Sequence, residues 1–272
     1  MAAYLDTCAF DHLYKKIGCT AADIANLRKK IYGRELSILL SIHTLEEILL
    51  DRRARPELLV AKIKLTLSLG NFRRMVKPCD QLLMDDIRAY AEGGAAARPF
   101  IDVKLQNVIS EGIAVLIESD GEELDEDMIA ALELVRQRKE ALHNSLRVSG
   151  QAREDAGAIS FEEYFRRESS PILVALAQSA GALEVCRERG FDGLLNVPSV
   201  RAIAGVTLAL PHARSSQGEP TNAMPDLCHA PCAAATADTF VTEDSRLREA
   251  FARIPLDNLE VIDLPRFLRK VA

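Results

Sequence analysis

Apolar residues along this chain fall into two kinds of pattern, and their order predicts a fold. Short, nearly continuous apolar runs at residues 2–7, 36–42, 239–242 and 259–262 have the length of strands and the unbroken character of strands covered on both faces. Between the first two, a helical spacing over 21–32 stops at Gly33, and Thr44 opens a second helix, TLEEILLDRR. Strand, helix, strand, helix at this spacing predicts a parallel sheet with right-handed crossovers. From 56 to 213 apolar residues recur every three or four positions, as in PELLVAKIKLTLSL and SPILVALAQSAGALEVCRERG, so the middle reads as helical. Residues 74–77, before Pro78, read as one further short strand. The run SSQGEPTNAMP is dense in turn formers and reads as a loop returning the chain to the sheet. After it Asp226 opens a short helix, and 245–252 form another between the last two strands. The pattern predicts an α/β core, discontinuous over 1–55 and 221–272, with a large, mostly helical insertion over 56–220. The first part of that insertion is also placed to lend a strand and helices to the core.

Composition leaves this picture standing. Hydrophobic residues make up 48% and charged residues 27%, as in an ordinary globular protein. No segment sustains about 18 apolar residues, and MAAYLDTCAF lacks a basic stretch followed by an apolar one, so neither membrane insertion nor secretion is expected. Six scattered cysteines are too sparse for a disulfide framework, which fits a reducing, cytoplasmic setting. The net charge of -6 would disfavour nucleic acid, but seven acids crowd residues 118–127, and the remainder sums to +1. Basic clusters at Arg28-Lys29-Lys30, Arg52-Arg53-Arg55, Arg73-Arg74-Lys77 and Arg166-Arg167 permit nucleic-acid binding without arguing for it.

Four acids stand where chemistry is expected. Asp6 ends an apolar strand, where a carboxylate is costly to bury without a partner. Glu47 follows Thr44 by three residues, a spacing that fits a capping box equally well. Asp226 and Asp244 each precede a short helix and fit N-caps. Their common placement changes the odds, because each falls just after a predicted strand or in the first turn of the next helix. That is the edge where open parallel sheets hold ligands. Converging carboxylates repel, and Mg²⁺ or Mn²⁺ would offset that repulsion.

These residues carry a resemblance. YLDTCAF, SIHTLEEILL and PDLCHAPCAAATADTFVTEDSRL resemble the segments bearing the acids of PIN-domain (PilT N-terminus-like) nucleases, over roughly residues 1–55 and 221–265. The resemblance implies a three-layer α/β/α sandwich around a central parallel sheet. It further implies that Asp6, Glu47, Asp226 and Asp244 bind one or two Mg²⁺ or Mn²⁺ ions for hydrolysis of RNA, with Asp238 as an accessory acid and Thr242 as a supporting hydrogen-bond donor. RNA is then the expected substrate; a homodimer and a protein inhibitor are left open.

The alternative is a non-catalytic PIN-like module that binds nucleic acid or protein, and a phosphatase using the same metal site is a more distant one. Cys228, His229 and Cys232 lie close together but lack a fourth ligand and the CxxC spacing, so zinc is not expected. A haloacid-dehalogenase pattern fails at Cys8, which stands where its second acid is required. No phosphate-cradling loop, Ser-His-Asp pattern or dinucleotide fingerprint is present.

Overall fold

Each strand of the sheet runs into a helix whose first turn is closed by a side chain at the strand's end, and this repeated turn builds one edge of the molecule. The computed structural model describes residues 1–50, 56–70, 72–94, 96–149, 159–215, 227–256 and 258–272. Among them β1 (Ala2–Leu5), β2 (Ser37–Leu39), β3 (Thr239–Val241) and β4 (Glu260–Ile262) form an all-parallel sheet in the order β2-β1-β3-β4. Asp6 caps α1 (Thr7–Lys15), Ser41 caps α3 (Ile42–Leu50) by accepting from the Thr44 amide, Asp244 caps α12 (Ser245–Phe251) and Asp263 caps α13 (Leu264–Val271). Because the strands are parallel, all four caps stand on the C-terminal edge of the sheet.

Helices cover both faces. Tyr4, Leu39 and Phe240 point into one cluster with α5 (Cys79–Glu92), α8 (Phe161–Ser179), α10 (Pro198–Ser215), α11 (His229–Thr236) and α12. Their strand neighbours Ala3, Leu5, Ile38, Val241 and Ile262 point the other way, against α1, α2 (Ala21–Tyr32) and α13. This alternation explains why the strands read as continuous apolar runs. Burying large side chains such as Tyr4 and Phe240 completely contributes about 1.5–3 kcal/mol each. A third cluster joins α3, α4 (Pro56–Leu69), α6 (Val103–Glu118) and α7 (Glu126–Ser149). The short helix α9 (Leu183–Arg189) follows α8. The molecule is thus mixed α/β with a parallel sheet, and α5, α8 and α10 from the helical middle share one core with the strands.

Two details differ from the sequence expectation. Phe72–Arg74 forms a 3-10 turn, and of residues 74–77 only Val76 makes a bridge: its amide donates to the Leu40 carbonyl at 2.7 Å and its own carbonyl accepts from the Ile42 amide at 3.1 Å. The helix expected from Thr44 begins at Ile42, because the Ser41 hydroxyl caps it first. Glu47 therefore lies inside α3, which removes the capping-box explanation for it. No helix among the described residues is long and apolar enough to cross a membrane.

Candidate functional site

From β1 the chain passes to β2 on one side, while β3 lies on the other, so β1 marks the point where the winding of the sheet reverses. Crevices form outside the strand ends at such points. Asp6 stands there, 3% exposed, with its amide donating to the Val241 carbonyl and its Oδ1 accepting from the Ala9 amide at 2.7 Å. Burial pushes its carboxyl up to about 6, and the charge of Glu47 pushes the same way; His229, the Thr242 hydroxyl and the Ala9 amide only partly offset this. Capping explains one oxygen of Asp6. It does not explain placing that carboxyl in the interior beside a second one.

Glu47 is held from three sides. Thr7, the residue after Asp6, donates its hydroxyl to Oε2; His229 Nε2 lies 3.3 Å from the same oxygen; and Lys139, far along the chain on α7, reaches Oε1 at 3.2 Å. A carboxylate only accepts, so in the contact with Glu47 it is Nε2 of His229 that carries the proton. His229 Nδ1 meets the Tyr4 hydroxyl at 2.7 Å, and that hydroxyl also bonds Ser41 Oγ at 2.7 Å. A buried polar chain therefore links the cap of α3 to the first residue of α11 and on to Glu47.

Lys139 also bonds Glu46 Oε2 at 2.7 Å. Burial would raise the Glu46 carboxyl, but His43 and Lys139 outweigh it and hold the group below its ordinary value. The ammonium of Lys139 thus supplies the positive charge that these two neighbouring carboxylates need.

Thr242 ties the third acid to the first. Its hydroxyl accepts from the Asp244 amide at 3.1 Å and bonds the Asp6 carboxylate. Asp244 itself accepts from the Arg246 and Leu247 amides at 2.8 and 3.4 Å. The combined field reaches Cys8, whose thiol is pushed up to about 12, first by partial burial and then by Asp6, Glu47, Asp11 and Asp244. Two further acids that the sequence reading missed share this edge: Glu243, which accepts from the Leu264 amide, and the cap Asp263.

Neither a family model, nor a curated protein, nor a solved structure matches this chain.

Asp6, Glu47, Thr242 and Asp244 share one neighbourhood. Asp238 does not. It precedes β3, on the opposite edge, where its carboxylate accepts from the Ala2 amide at 2.9 Å and ties β3 to β1. Asp226 lies outside the described residues. Among the described residues, the acids do not bring three ligand atoms within 4.8 Å of one another; His43, Cys79 and Cys228 do. Of the residues missed from sequence, Tyr4 left a faint signal, a polar tip inside an apolar strand. Lys139 left none, since nothing in a solvated helix pattern marks a lysine that turns inward 92 residues from its partner. Within the basic clusters, Arg28 bonds Ser68, Lys77 pairs with Asp85, Arg166 with Glu162, and Arg74 lies over the Phe100 ring; Arg52, Arg53 and Arg55 lie outside the described residues.

Proposed function

We propose that this protein is a metal-dependent ribonuclease of the PIN type, in which Asp6, Glu47 and Asp244, with Asp226 as the resemblance implies, hold Mg²⁺ or Mn²⁺. The observation that carries the reading is Asp6: a buried carboxyl at the winding reversal of a parallel sheet, with a second carboxylate near enough to raise it further. The donors are hard carboxylate oxygens, the type these cations favour, and a cation there would relieve the charge that burial and Glu47 impose on Asp6. Bound, the metal supplies Lewis-acid activation for hydrolysis of a phosphodiester, in which water adds across a P–O bond.

The protein's own residues do the positioning. Ala9 and Thr242 fix the Asp6 carboxylate, Thr7 and His229 fix Glu47, and the Arg246 and Leu247 amides fix Asp244. His229, anchored through Nδ1 to Tyr4, holds a proton at Nε2 on the rim of the same site. RNA is the substrate implied by the resemblance.

The test is cleavage of single-stranded RNA by purified protein. Activity is expected with Mn²⁺, is expected to stop with EDTA, and is expected to fall by at least about 100-fold in Asp6→Asn and Asp244→Asn. Full activity in both variants would reject the assignment. One observation favours a second reading, a non-catalytic binding module: Lys139 already neutralises Glu46 and Glu47. That reading predicts RNA binding that EDTA leaves unchanged, with no cleavage under any metal.

A further inference from the structure

We propose that Cys79, Cys228 and His43 form a buried zinc site, with His143 as the fourth ligand. This site is separate from the carboxylate edge and does not depend on the nuclease reading. Four helices converge on it. Cys79 is the first residue of α5, His43 the second of α3, His143 lies on α7, and Cys228 is the residue before α11. Both sulfurs belong to completely buried residues and His43 is 1% exposed. One ligand atom from each of the three lies within 4.8 Å of the others, and the Cys79 thiol is in hydrogen-bond contact with that of Cys228.

His43 Nε2 accepts from the Cys79 amide at 2.8 Å, which puts the ring proton on Nδ1 and holds the ring's single lone pair beside Cys79; zinc would take that lone pair in place of the amide. Nδ1 is buried with no hydrogen-bond partner and stands 3.9 Å from Glu46 Oε2. A carboxylate behind the second nitrogen is the arrangement that orients zinc-bound histidines, and a small turn of the ring would close that gap.

Size and charge agree. Zinc–sulfur bonds of roughly 2.3 Å and zinc–nitrogen bonds of roughly 2.0 Å in a tetrahedron place neighbouring ligand atoms about 3.3–3.8 Å apart, a sulfur and a nitrogen about 3.5 Å. Cys228 Sγ and His143 Nε2 already stand at 3.5 Å, while His143 lies outside the group of three whose ligand atoms are within 4.8 Å of one another and would close on it as the ion binds. Two thiolates balance one Zn²⁺ and two neutral imidazoles add no charge, so the occupied site is neutral and tolerates burial. On binding, each thiol exchanges its S–H bond for an S–Zn bond, and two protons leave to solvent. Sulfur and nitrogen donors select against Mg²⁺, so this position and the carboxylate edge would take different ions. Zinc here would also pin the residue before His229, fixing that histidine against Glu47.

The full-length chain, stripped with chelator and kept reduced, is titrated with Co²⁺. The expected result is one equivalent bound with thiolate-to-cobalt charge-transfer absorption and tetrahedral d–d bands that Zn²⁺ abolishes; cobalt taken up by carboxylates gives no charge-transfer absorption and is counted apart. Cys79→Ser and Cys228→Ser should each lose about half of the charge-transfer intensity or all binding, while Cys19→Ser and Asp6→Asn retain the full signal. Wild-type protein that binds no cobalt, or binds it without charge-transfer absorption, overturns the proposal whether or not the variants fold. So does an undiminished signal in both cysteine variants.

Discussion

Asp6 sets the electrostatic problem at the residue scale. Its folded value of about 6 lies above the ordinary 3.8, so the folded state holds this proton more tightly than the unfolded chain does. Below about pH 3 both states are protonated and the group contributes nothing. As pH rises towards 6 the unfolded chain releases its proton first, stability is lost, and above about 6 the full penalty of about 3 kcal/mol applies. Asn at this position keeps a cap for Ala9 without the charge. Metal-free Asp6→Asn is therefore expected to be more stable than wild type by about 3 kcal/mol at pH 7 and nearly equal to it at pH 3, measured by urea denaturation in chelator. An equal gain at both pH values would reject the raised carboxyl. Lys139→Met should act in the opposite sense, costing roughly 3 kcal/mol by stranding the buried Glu46. Thermal shifts with and without Mn²⁺ should then show a larger rescue in the variant, because the ammonium no longer competes for Glu47; an identical rescue would mean that no metal visits Glu47. Asp6 was legible in the sequence because a strand-end acid after an apolar run is rare without cause. Lys139 and His43 were not, because what matters in each is a contact across more than 30 residues.

At the scale of elements, the apolar runs located all four strands to within a residue or two at most ends, since a strand buried on both faces reads as a short unbroken apolar run, although the same kind of reading failed at 74–77. The start of α3 was misplaced because two hydroxyls compete to cap it, and only geometry decides that Ser41, already bonded by Tyr4, wins over Thr44. Tyr4→Phe breaks this chain at its centre. It is expected to cost about 1–3 kcal/mol and to shift the His229 ring resonances in NMR spectra, and unshifted resonances would argue against the link. Close approach was invisible in sequence. Gly70 bridges Ile38, and a Cβ placed on it would lie 2.3 Å from Leu40 Cγ, in the apolar layer beneath β2. Gly70→Ala should lower stability by about 1–3 kcal/mol in a denaturant titration. The zinc ligands were hidden for a similar reason: the sequence offered Cys228, His229 and Cys232 as neighbours, whereas the cluster draws one residue from each of several helices.

For the whole molecule, the sequence suggested a sheet domain with a helical guest, and the packing joins the two. Tyr4 and Phe240 share a cluster with α5, α8 and α10, so the helical middle lacks an apolar partner when the strands are absent. A fragment spanning residues 56–215 is expected to unfold without a cooperative transition and to bind hydrophobic dyes; a sharp calorimetric transition from it would indicate an independent domain. The central pairing of β1 with β3 joins segments about 236 residues apart, as the bond from the Ala2 amide to Asp238 illustrates. A ribosome adding 5–20 residues per second needs on the order of 10–50 s to cover that distance. Throughout that interval the nascent chain carries Asp6 and Glu47 without the strand that brings Asp244 and Thr242, so the acidic edge is completed late in synthesis and β1 must wait, one side unpaired, in whatever shelter the cell provides.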